Sequence, residues 1–174
     1  MYARKALLPD ASAIEKLIRA HVTDGTLLPR TLADVCENIR DFVVVEHENR
    51  IVGCGALHLY GLHLAEIRSI TVSDVVRGKG AGRMLVEALL REARDQHVTG
   101  ICLFTRIPEF FARLGFRTVE RKVLPDKIYK DCLMCPRLHA CDEVAMLRGE
   151  VPTFAILAPP AERTRIPGAI REQN

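Results

Sequence analysis

A glycine-rich loop in the middle of the chain constrains the fold more than any other feature. Arg77-Gly-Lys-Gly-Ala-Gly82 follows an apolar run that ends at Val72 and precedes an amphipathic segment at about residues 80–96. Three glycines at a strand-to-helix junction let the backbone approach a bulky anion, and the first N–H groups of the helix then point at phosphate oxygens. A plain tight turn would explain the glycines equally well. The loop predicts a strand, a turn and a helix, with anion binding as its functional interpretation.

The loop does not match two better-known phosphate motifs. A Walker loop requires Gly-x-x-x-x-Gly-Lys-Ser/Thr, and a dinucleotide fingerprint does not fit a motif that lies mid-chain after antiparallel strands. Positive charge is local to the loop, at Arg77, Lys79 and Arg83. The whole chain carries 25 basic and 22 acidic residues, a formal net charge of +3. This mild excess argues against a nucleic-acid partner.

Hydrophobic periodicity along the chain predicts the order β-α-α-β-β-β-α-β-α-β-β. We expect Asp10 or Ser12 to cap the first helix, with Glu15 completing a capping box, and Thr31 to cap the second. The predicted strands lie at 2–7, 42–45, 51–60, 65–72, 100–105, from 115 and at 143–147, and the predicted helices follow Pro9 and Thr31 and occupy 80–96 and 108–114.

Length and composition predict one domain, at residues 1–150, and a proline-rich disordered tail at 151–174. The tail holds four of the nine prolines. No stretch approaches 18 apolar residues, and no apolar signal segment follows Arg4 and Lys5. We therefore expect a cytoplasmic protein with no membrane partner.

The six cysteines divide into two groups. Three lie in apolar patterns and are expected to fill the core: Cys36, Cys54 and Cys102. The other three form one short cluster that also contains His139: Cys132, Cys135 and Cys141. Zn²⁺ or an iron–sulfur cluster is one interpretation of this spacing, and unligated reduced thiols or a redox disulfide are the alternatives.

Two motifs together resemble the GCN5-related N-acetyltransferases, the GNAT family. Arg77-x-x-Gly80-x-Gly82 matches the Gln/Arg-x-x-Gly-x-Gly/Ala loop of that family, and the aromatic stretch 110–116, ending in Gly-Phe, is similar to its second hallmark. The resemblance covers about residues 1–148 and implies a single-domain α/β fold with a mixed central sheet, splayed in the middle and flanked by helices. It also implies acetyl-CoA as co-substrate, held by Ile70, Thr71, Val72, Arg77, Gly78, Lys79, Gly80, Ala81, Gly82 and Arg83.

Four stretches further resemble the acetyltransferase domain of bacterial N-acetylglutamate synthases, above all the short forms: Gly25-Thr-Leu-Leu-Pro-Arg30, Gly53-Cys-Gly-Ala-Leu57, Glu66-Ile-Arg-Ser69 and Leu103-Phe-Thr-Arg106. This implies acetylation of the α-amine of L-glutamate, the first step of arginine synthesis. It places the substrate carboxylate at Arg30, with the Leu28 backbone beside it, and Arg106 is a second candidate. A solvated surface arginine is the alternative for each. With 174 residues we expect no kinase-like domain and no feedback control through one.

Two departures from those synthases concern the side-chain carboxylate of the substrate. His63-Leu64 stands where some synthases have Lys, and their C-terminal Arg-x-Ser is not evident. The basic residues that could substitute are Lys127, Lys130 and Arg137.

Glu66 is the acid side chain best placed on its strand to take a proton from the incoming ammonium, directly or through water. A surface or salt-bridged carboxylate is the alternative. A backbone N–H near Ile70 and Thr71 is expected to face the oxyanion. Many relatives carry a Tyr where this chain has Phe111, so the thiolate is expected to leave unprotonated or to take a proton from water.

Two other functions stay open from the sequence. One keeps the fold and acetylates another small amine or a protein amine. The other is a metal- or thiol-responsive regulatory module on an acetyltransferase fold, suggested by Phe111 and the cysteine cluster. A homodimer is also open.

Overall fold

The computed structural model describes residues 1–22 and 27–152, so nearly all of the predicted tail and residues 25 and 26 of the resemblance lie outside the described residues. The strands are β1 (Tyr2–Lys5), β2 (Phe42–His47), β3 (Arg50–Leu59), β4 (Leu64–Val72), β5 (Gly100–Thr105), β6 (Arg117–Thr118) and β7 (Val144–Gly149). The α-helices are α1 (Ala11–Ala20), α2 (Leu32–Glu37), α3 (Ala81–Asp95), α4 (Pro108–Ala112) and α5 (Pro125–Lys130).

The strands form one mixed sheet in the order β1-β2-β3-β4-β5-β7-β6. All neighbours are antiparallel except β4 and β5, which run parallel. In the described chain these two strands pair only over Leu64–Glu66 and Gly100–Cys102, although both continue further. The sheet therefore splays between β4 and β5, which confirms the expected fold.

A β-bulge in β4 accompanies this splay. Ser69 and Ile70 together oppose the single residue Gly55 of β3, and Ser69 has a φ of 55°, in the left-handed region. A Cβ on Gly55 would lie 3.0 Å from Ile70 Cγ1 and 3.1 Å from Leu89 Cδ1. Glycine at this position lets the bulge and helix α3 pack together.

At the N-terminus of α1, Asp10 occupies the N-cap position, as one of the two predicted caps, but its side chain makes no capping hydrogen bond. The helix begins at Ala11, so the expected capping box from Ser12 to Glu15 is wrong. The Asp10 carboxylate instead accepts the Leu7 N–H at 2.8 Å and pairs with Arg4 at 2.7 Å. A cation on β1 thus binds the carboxylate that would otherwise cap the helix.

The cap of α2 is confirmed. Thr31 Oγ1 accepts the Asp34 N–H at 3.1 Å, and Asp34 bonds back to the Thr31 N–H at 2.9 Å. This reciprocal pair satisfies donors that the helix itself leaves unpaired.

Two large apolar clusters cover the two faces of the sheet, and a third, smaller one includes Cys102 and Leu124. Helix α3 buries Leu85 and Leu89 on one face, and α1 and α2 bury Ile14, Ile18 and Val35 on the other. Cys54 and Cys102 are fully buried as expected, and Cys36 is partly buried beside the second core. Among the described residues no helix has the length and apolar character needed to cross a membrane.

Helix α5 and the turns around it are absent from the prediction. They lie in the connection from β6 to β7, which also contains 3₁₀ turns at Arg121–Val123, Cys132–Met134 and Leu138–Ala140. These elements are too short to show a helical period. They nevertheless cover the gap between β4 and β5.

Candidate active site

The glycine loop has the backbone geometry of an anion cradle. Gly78 and Gly80 have φ of 76° and 86°, and a Cβ on either would meet open space. Helix α3 begins after Gly80 with neither a capping side chain nor an acidic residue in its first turn. Its first N–H groups therefore stay available for phosphate oxygens, aided by the helix dipole. These residues fit the pyrophosphate of a CoA-type ligand.

Two of the three cations of the loop form ion pairs with neighbouring carboxylates, so they are less available to a ligand than the sequence suggests. Arg77 pairs with Asp74 at 2.7 Å, and Arg83 pairs with Glu87 at 2.7 Å. Both pairs lie on the surface, where ion pairs contribute little stability and exchange partners easily. Anion binding at this loop rests mainly on the backbone.

A cavity of about 160 Å³ opens where β4 and β5 diverge. Its walls come from residues 66–69 of β4, Phe104 of β5, the segment 27–30 before α2, and the connection between β6 and β7. Strand β4 continues from this cavity to the glycine loop, so one strand links the two features. The cavity lies at the splay, where a substrate could reach between the strands.

A cluster of four charged side chains lies at this cavity. Glu66 is 3% exposed, and Lys127 Nζ lies 2.8 Å from Glu66 Oε1 and 3.0 Å from Asp131 Oδ2. The Tyr60 hydroxyl lies 2.9 Å from Glu66 and also contacts Asp131, and its single proton is donated to one of the two carboxylates at a time. Arg68 lies 3.9 Å from Glu66 and 3.7 Å from Asp131. Two cations thus compensate two carboxylates, as burial of charge requires.

The surroundings fix the charge states of Asp131, Lys127 and Tyr60 at neutral pH. Burial raises the pKa of Asp131, but hydrogen bonds from Tyr60 and Lys127 outweigh it and leave that pKa below its ordinary value. Burial lowers the pKa of Lys127, but Glu66 and Asp131 outweigh it and leave that pKa raised. Burial and both carboxylates raise the pKa of Tyr60. Lys127 is therefore a cation, Asp131 an anion and Tyr60 a neutral donor.

Arg30 faces the same cavity, and the charges of Asp34, Glu66 and Asp131 favour its charged form without any of them forming an ion pair with it in the described residues. It is partly buried, and it forms no ion pair or hydrogen bond with any residue that the structure describes. Burial lowers the pKa of Arg30, and the nearby Arg68 lowers it further. Arginine remains charged even so. Leu28, also predicted here, lines the cavity beside it.

Arg106 lies elsewhere. Its Nε donates to both carboxylate oxygens of Asp142, at 2.9 and 2.8 Å, and it does not line the cavity. The antiparallel pairing of β5 with β7 explains this, because it brings the end of β5 beside the residues that precede Val144. The structure does not place Arg106 with the other predicted substrate-binding residues.

The predicted Zn or iron–sulfur site at Cys132, Cys135 and Cys141 is wrong. All three thiols border the cavity, but the described residues include no group of three or more His, Cys, Asp or Glu side chains arranged to hold a metal ion. Cys135 Sγ accepts the N–H of Arg137 at 3.4 Å, and Cys141 Sγ lies 3.9 Å from Glu143. Separate turns thus direct the sulfurs to local partners, and the six cysteines are free.

The three basic residues that could bind the side-chain carboxylate of the substrate do not lie together in the structure. Lys127 reaches the cavity but is paired with Glu66. Lys130 Nζ donates to the Tyr60 carbonyl at 3.2 Å, and neither Lys130 nor Arg137 lines the cavity.

Sequence reasoning missed Tyr60, Arg68, Arg121 and Asp131. One signal was available, because residues two apart on a strand share a face, so Glu66 predicts Arg68 beside it. The others come from different elements, and no local spacing connects them.

Helix α4 offers no hydroxyl to a leaving group. Phe111 is 5% exposed and packs edge-on against Phe110 and Phe116, with ring centroids 4.9 and 5.9 Å away. The side chain fills the core.

Comparison with known proteins identifies relatives of this chain. A family model described as an acetyltransferase (GNAT) domain matches residues 38–118. An uncharacterized N-acetyltransferase of Chlorobaculum tepidum is 39% identical over 145 residues, covering 83% of this chain and 94% of that protein. An amino-acid acetyltransferase of Mycobacterium tuberculosis is 34% identical over 135 residues, covering 76% of each.

Solved structures share the fold. A Mycobacterium tuberculosis protein crystallised with CoA has a TM-score of 0.74 and 29% identity, covering 87% of this chain and 100% of that one. The N-acetylglutamate synthase of Neisseria gonorrhoeae, complexed with coenzyme A and N-acetyl-glutamate, has a TM-score of 0.76 and 27% identity. That match covers 84% of this chain and 34% of the synthase.

Proposed function

This chain belongs to the GNAT acetyltransferase family, and we propose that it transfers the acetyl group of acetyl-CoA to the α-amine of L-glutamate. The reaction would be the first step of arginine synthesis. Relatives named amino-acid acetyltransferase support an amino acid as acceptor. We place the reaction in the cytoplasm, where thiols stay reduced, in keeping with the six free cysteines.

The observation that carries this proposal is the guanidinium of Arg30, which lines the cavity and forms no ion pair among the described residues. The neighbouring cluster of Glu66, Lys127, Asp131 and Arg68 is neutral as a whole, so Arg30 adds a net positive charge. A planar guanidinium suits bidentate binding of a carboxylate. The α-carboxylate of an amino acid meets this requirement, with the Leu28 backbone beside it.

The glycine loop and the end of β4 are proposed to hold the co-substrate. Acetyl-CoA supplies the activated acyl group, and the chain supplies a cradle for its phosphates at residues 77–83. Ile70, Thr71 and Val72 lie on the part of β4 that has separated from β5, where backbone groups can pair with an extended ligand. These assignments are retained from the sequence as proposals.

Glu66 is proposed to accept the proton that the substrate ammonium must lose, directly or through water. Lys127 and Tyr60 compensate the burial of its charge, so Glu66 is held as an oriented carboxylate at the cavity. Asp131 offers a second carboxylate that attracts the ammonium. Alignment of the amine against the acyl carbon then supplies much of the rate.

The bulge at Ser69 and Ile70 is proposed to present a backbone N–H of Ile70 or Thr71 to the oxyanion that forms during attack. With Phe111 in the core, the thiolate is proposed to leave unprotonated or to take a proton from water.

A kinetic comparison tests this function. Thiol release from acetyl-CoA is followed with L-glutamate for the wild type, for Arg30→Gln and for the matched control Arg106→Gln. We expect glutamate turnover by the wild type, a KM for glutamate at least about tenfold higher in Arg30→Gln, and an unchanged KM for acetyl-CoA. Arg106→Gln should behave as the wild type. A wild type that releases no thiol with glutamate would refute the proposal.

A further inference from the structure

Arg121, in the connection between β6 and β7, is a further cation that lines the cavity. It begins the 3₁₀ turn Arg121–Val123, and its Nη2 donates to the carbonyls of Cys141 at 3.2 Å and Glu143 at 2.9 Å. Its guanidinium carbon lies 5.7 Å from the ring centroid of Phe104 on β5. These contacts fix the plane of the guanidinium beside the cavity that Glu66 and Arg30 also line.

The charge of Arg121 is left without a carboxylate partner in the described part of the chain. Among the described residues its guanidinium donates to two carbonyl oxygens through one nitrogen. A guanidinium has five N–H donors, so several remain for a ligand. Glu143 also lines the cavity, but its carboxylate forms no ion pair with Arg121 and instead lies 3.9 Å from Cys141 Sγ.

Arg30 and Arg121 line the same cavity from two distant segments of the chain. Arg30 comes from the segment before α2 and lines the cavity with Arg68 of β4, whereas Arg121 lies over Phe104 on β5. The neutral cluster around Glu66 and Lys127 lies at the same cavity. An acceptor with a carboxylate at each end and an ammonium near one of them would compensate both arginines.

We propose that Arg121 binds the side-chain carboxylate of the acceptor and sets the preference of the enzyme for an acidic over an amide side chain. This inference rests on the proposed function, in which Arg30 binds the α-carboxylate. The rest of this corner is formed by uncharged side chains, among them Leu138 and the three thiols, and by Glu143. Glu143 opposes an anionic side chain, so it limits the preference that Arg121 creates.

The test compares kcat/KM for L-glutamate and L-glutamine in four proteins: the wild type, Arg121→Gln, Glu143→Gln and the control Arg106→Gln. Glutamine matches glutamate in shape and lacks only the charge. We expect the wild type to prefer glutamate and Arg121→Gln to lower kcat/KM for glutamate at least about tenfold, through KM, with glutamine changed about twofold or less. Glu143→Gln should raise kcat/KM for glutamate, and Arg106→Gln should change kcat/KM for neither acceptor.

The outcomes separate this inference from the proposed function. Wild-type turnover of glutamate tests the function, and the glutamate-to-glutamine ratio in Arg121→Gln tests the inference. An equal loss for both acceptors would show that Arg121 only supports the fold, and no loss would show that it does not bind the substrate. Should Arg121→Gln not fold, Arg121→Met removes the charge while keeping an unbranched side chain, and an unchanged glutamate-to-glutamine ratio there overturns the inference.

Discussion

Lys127 Nζ lies 2.8 Å from Glu66 Oε1, although the two residues are 61 positions apart in the chain. Glu66 is on the sheet, and Lys127 is on the short helix that covers the splay. The pair therefore joins the connection between β6 and β7 to β4 and holds the carboxylate at the cavity. This one contact therefore contributes to the stability of the fold and also positions the proposed proton acceptor.

Replacing Lys127 with Met should destabilise the fold, because it leaves Glu66 buried without its closest cation. We expect the free energy of unfolding in urea to fall by about 3 kcal/mol. The double variant Glu66→Gln with Lys127→Met removes both charges and should recover part of this loss. If the double variant is no more stable than the single one, the pair does not couple the two elements as described.

Glu66→Gln should lower kcat about 100-fold, because it removes the proposed proton acceptor while keeping the shape of the side chain. The KM for acetyl-CoA should stay the same, since Glu66 lies at the cavity and not at the glycine loop. Steady-state kinetics with L-glutamate measures both, and urea unfolding checks that the variant is folded. An unchanged kcat would remove Glu66 from the chemistry.

Gly80→Ala should weaken acetyl-CoA binding. Its φ of 86° costs an alanine about 1–2 kcal/mol, although the space for a Cβ is open. We expect the loop to shift and the KM for acetyl-CoA to rise about tenfold, with little change in the KM for glutamate. Gly61→Ala is the control, because its Cβ would make only ordinary contacts, the nearest at 3.7 Å. Equal effects of the two variants would argue against a specific role of the loop.

The Arg4–Asp10 pair should make stability depend on pH in acid. The hydrogen bond from Arg4 lowers the pKa of Asp10 in the folded chain, so the unfolded chain binds the proton first as pH falls. The contribution is complete above the unfolded pKa, near 3.9, and is lost as pH falls through the lower folded pKa. Asp10→Asn should cost about 1 kcal/mol at pH 7 and less at pH 3 in urea titrations. A difference that grows in acid would reverse the assignment.

The parts of the fold that depend on local signals could be predicted from the sequence. The strand, glycine loop and helix at residues 65–96 carry their own turn chemistry and period, and the structure has β4, left-handed glycines at Gly78 and Gly80, and α3 there. The Thr31 cap is equally local. Local signals did not predict the partner of Asp10, because its carboxylate pairs with Arg4 on β1 instead of capping α1.

The composition of the cavity depended on contacts between distant segments. The sequence pointed to Glu66 through its position on a strand and to Arg30 through the family resemblance. Lys127, Asp131 and Arg121 instead reach the cavity through a connection whose path no hydrophobic period predicts. Arg106 looked equivalent to Arg30 until β7 brought Asp142 beside it. The cysteine spacing suggested a metal site because spacing does not show where each sulfur points.

The most direct measurement of the central claim is a competition among acceptors. The protein is incubated with acetyl-CoA and an equimolar mixture of the twenty amino acids, and acetylated products are identified by mass spectrometry. The proposed function predicts N-acetylglutamate as the main product, formed only in the presence of the protein. Accumulation of another acetylated amino acid without N-acetylglutamate would contradict it.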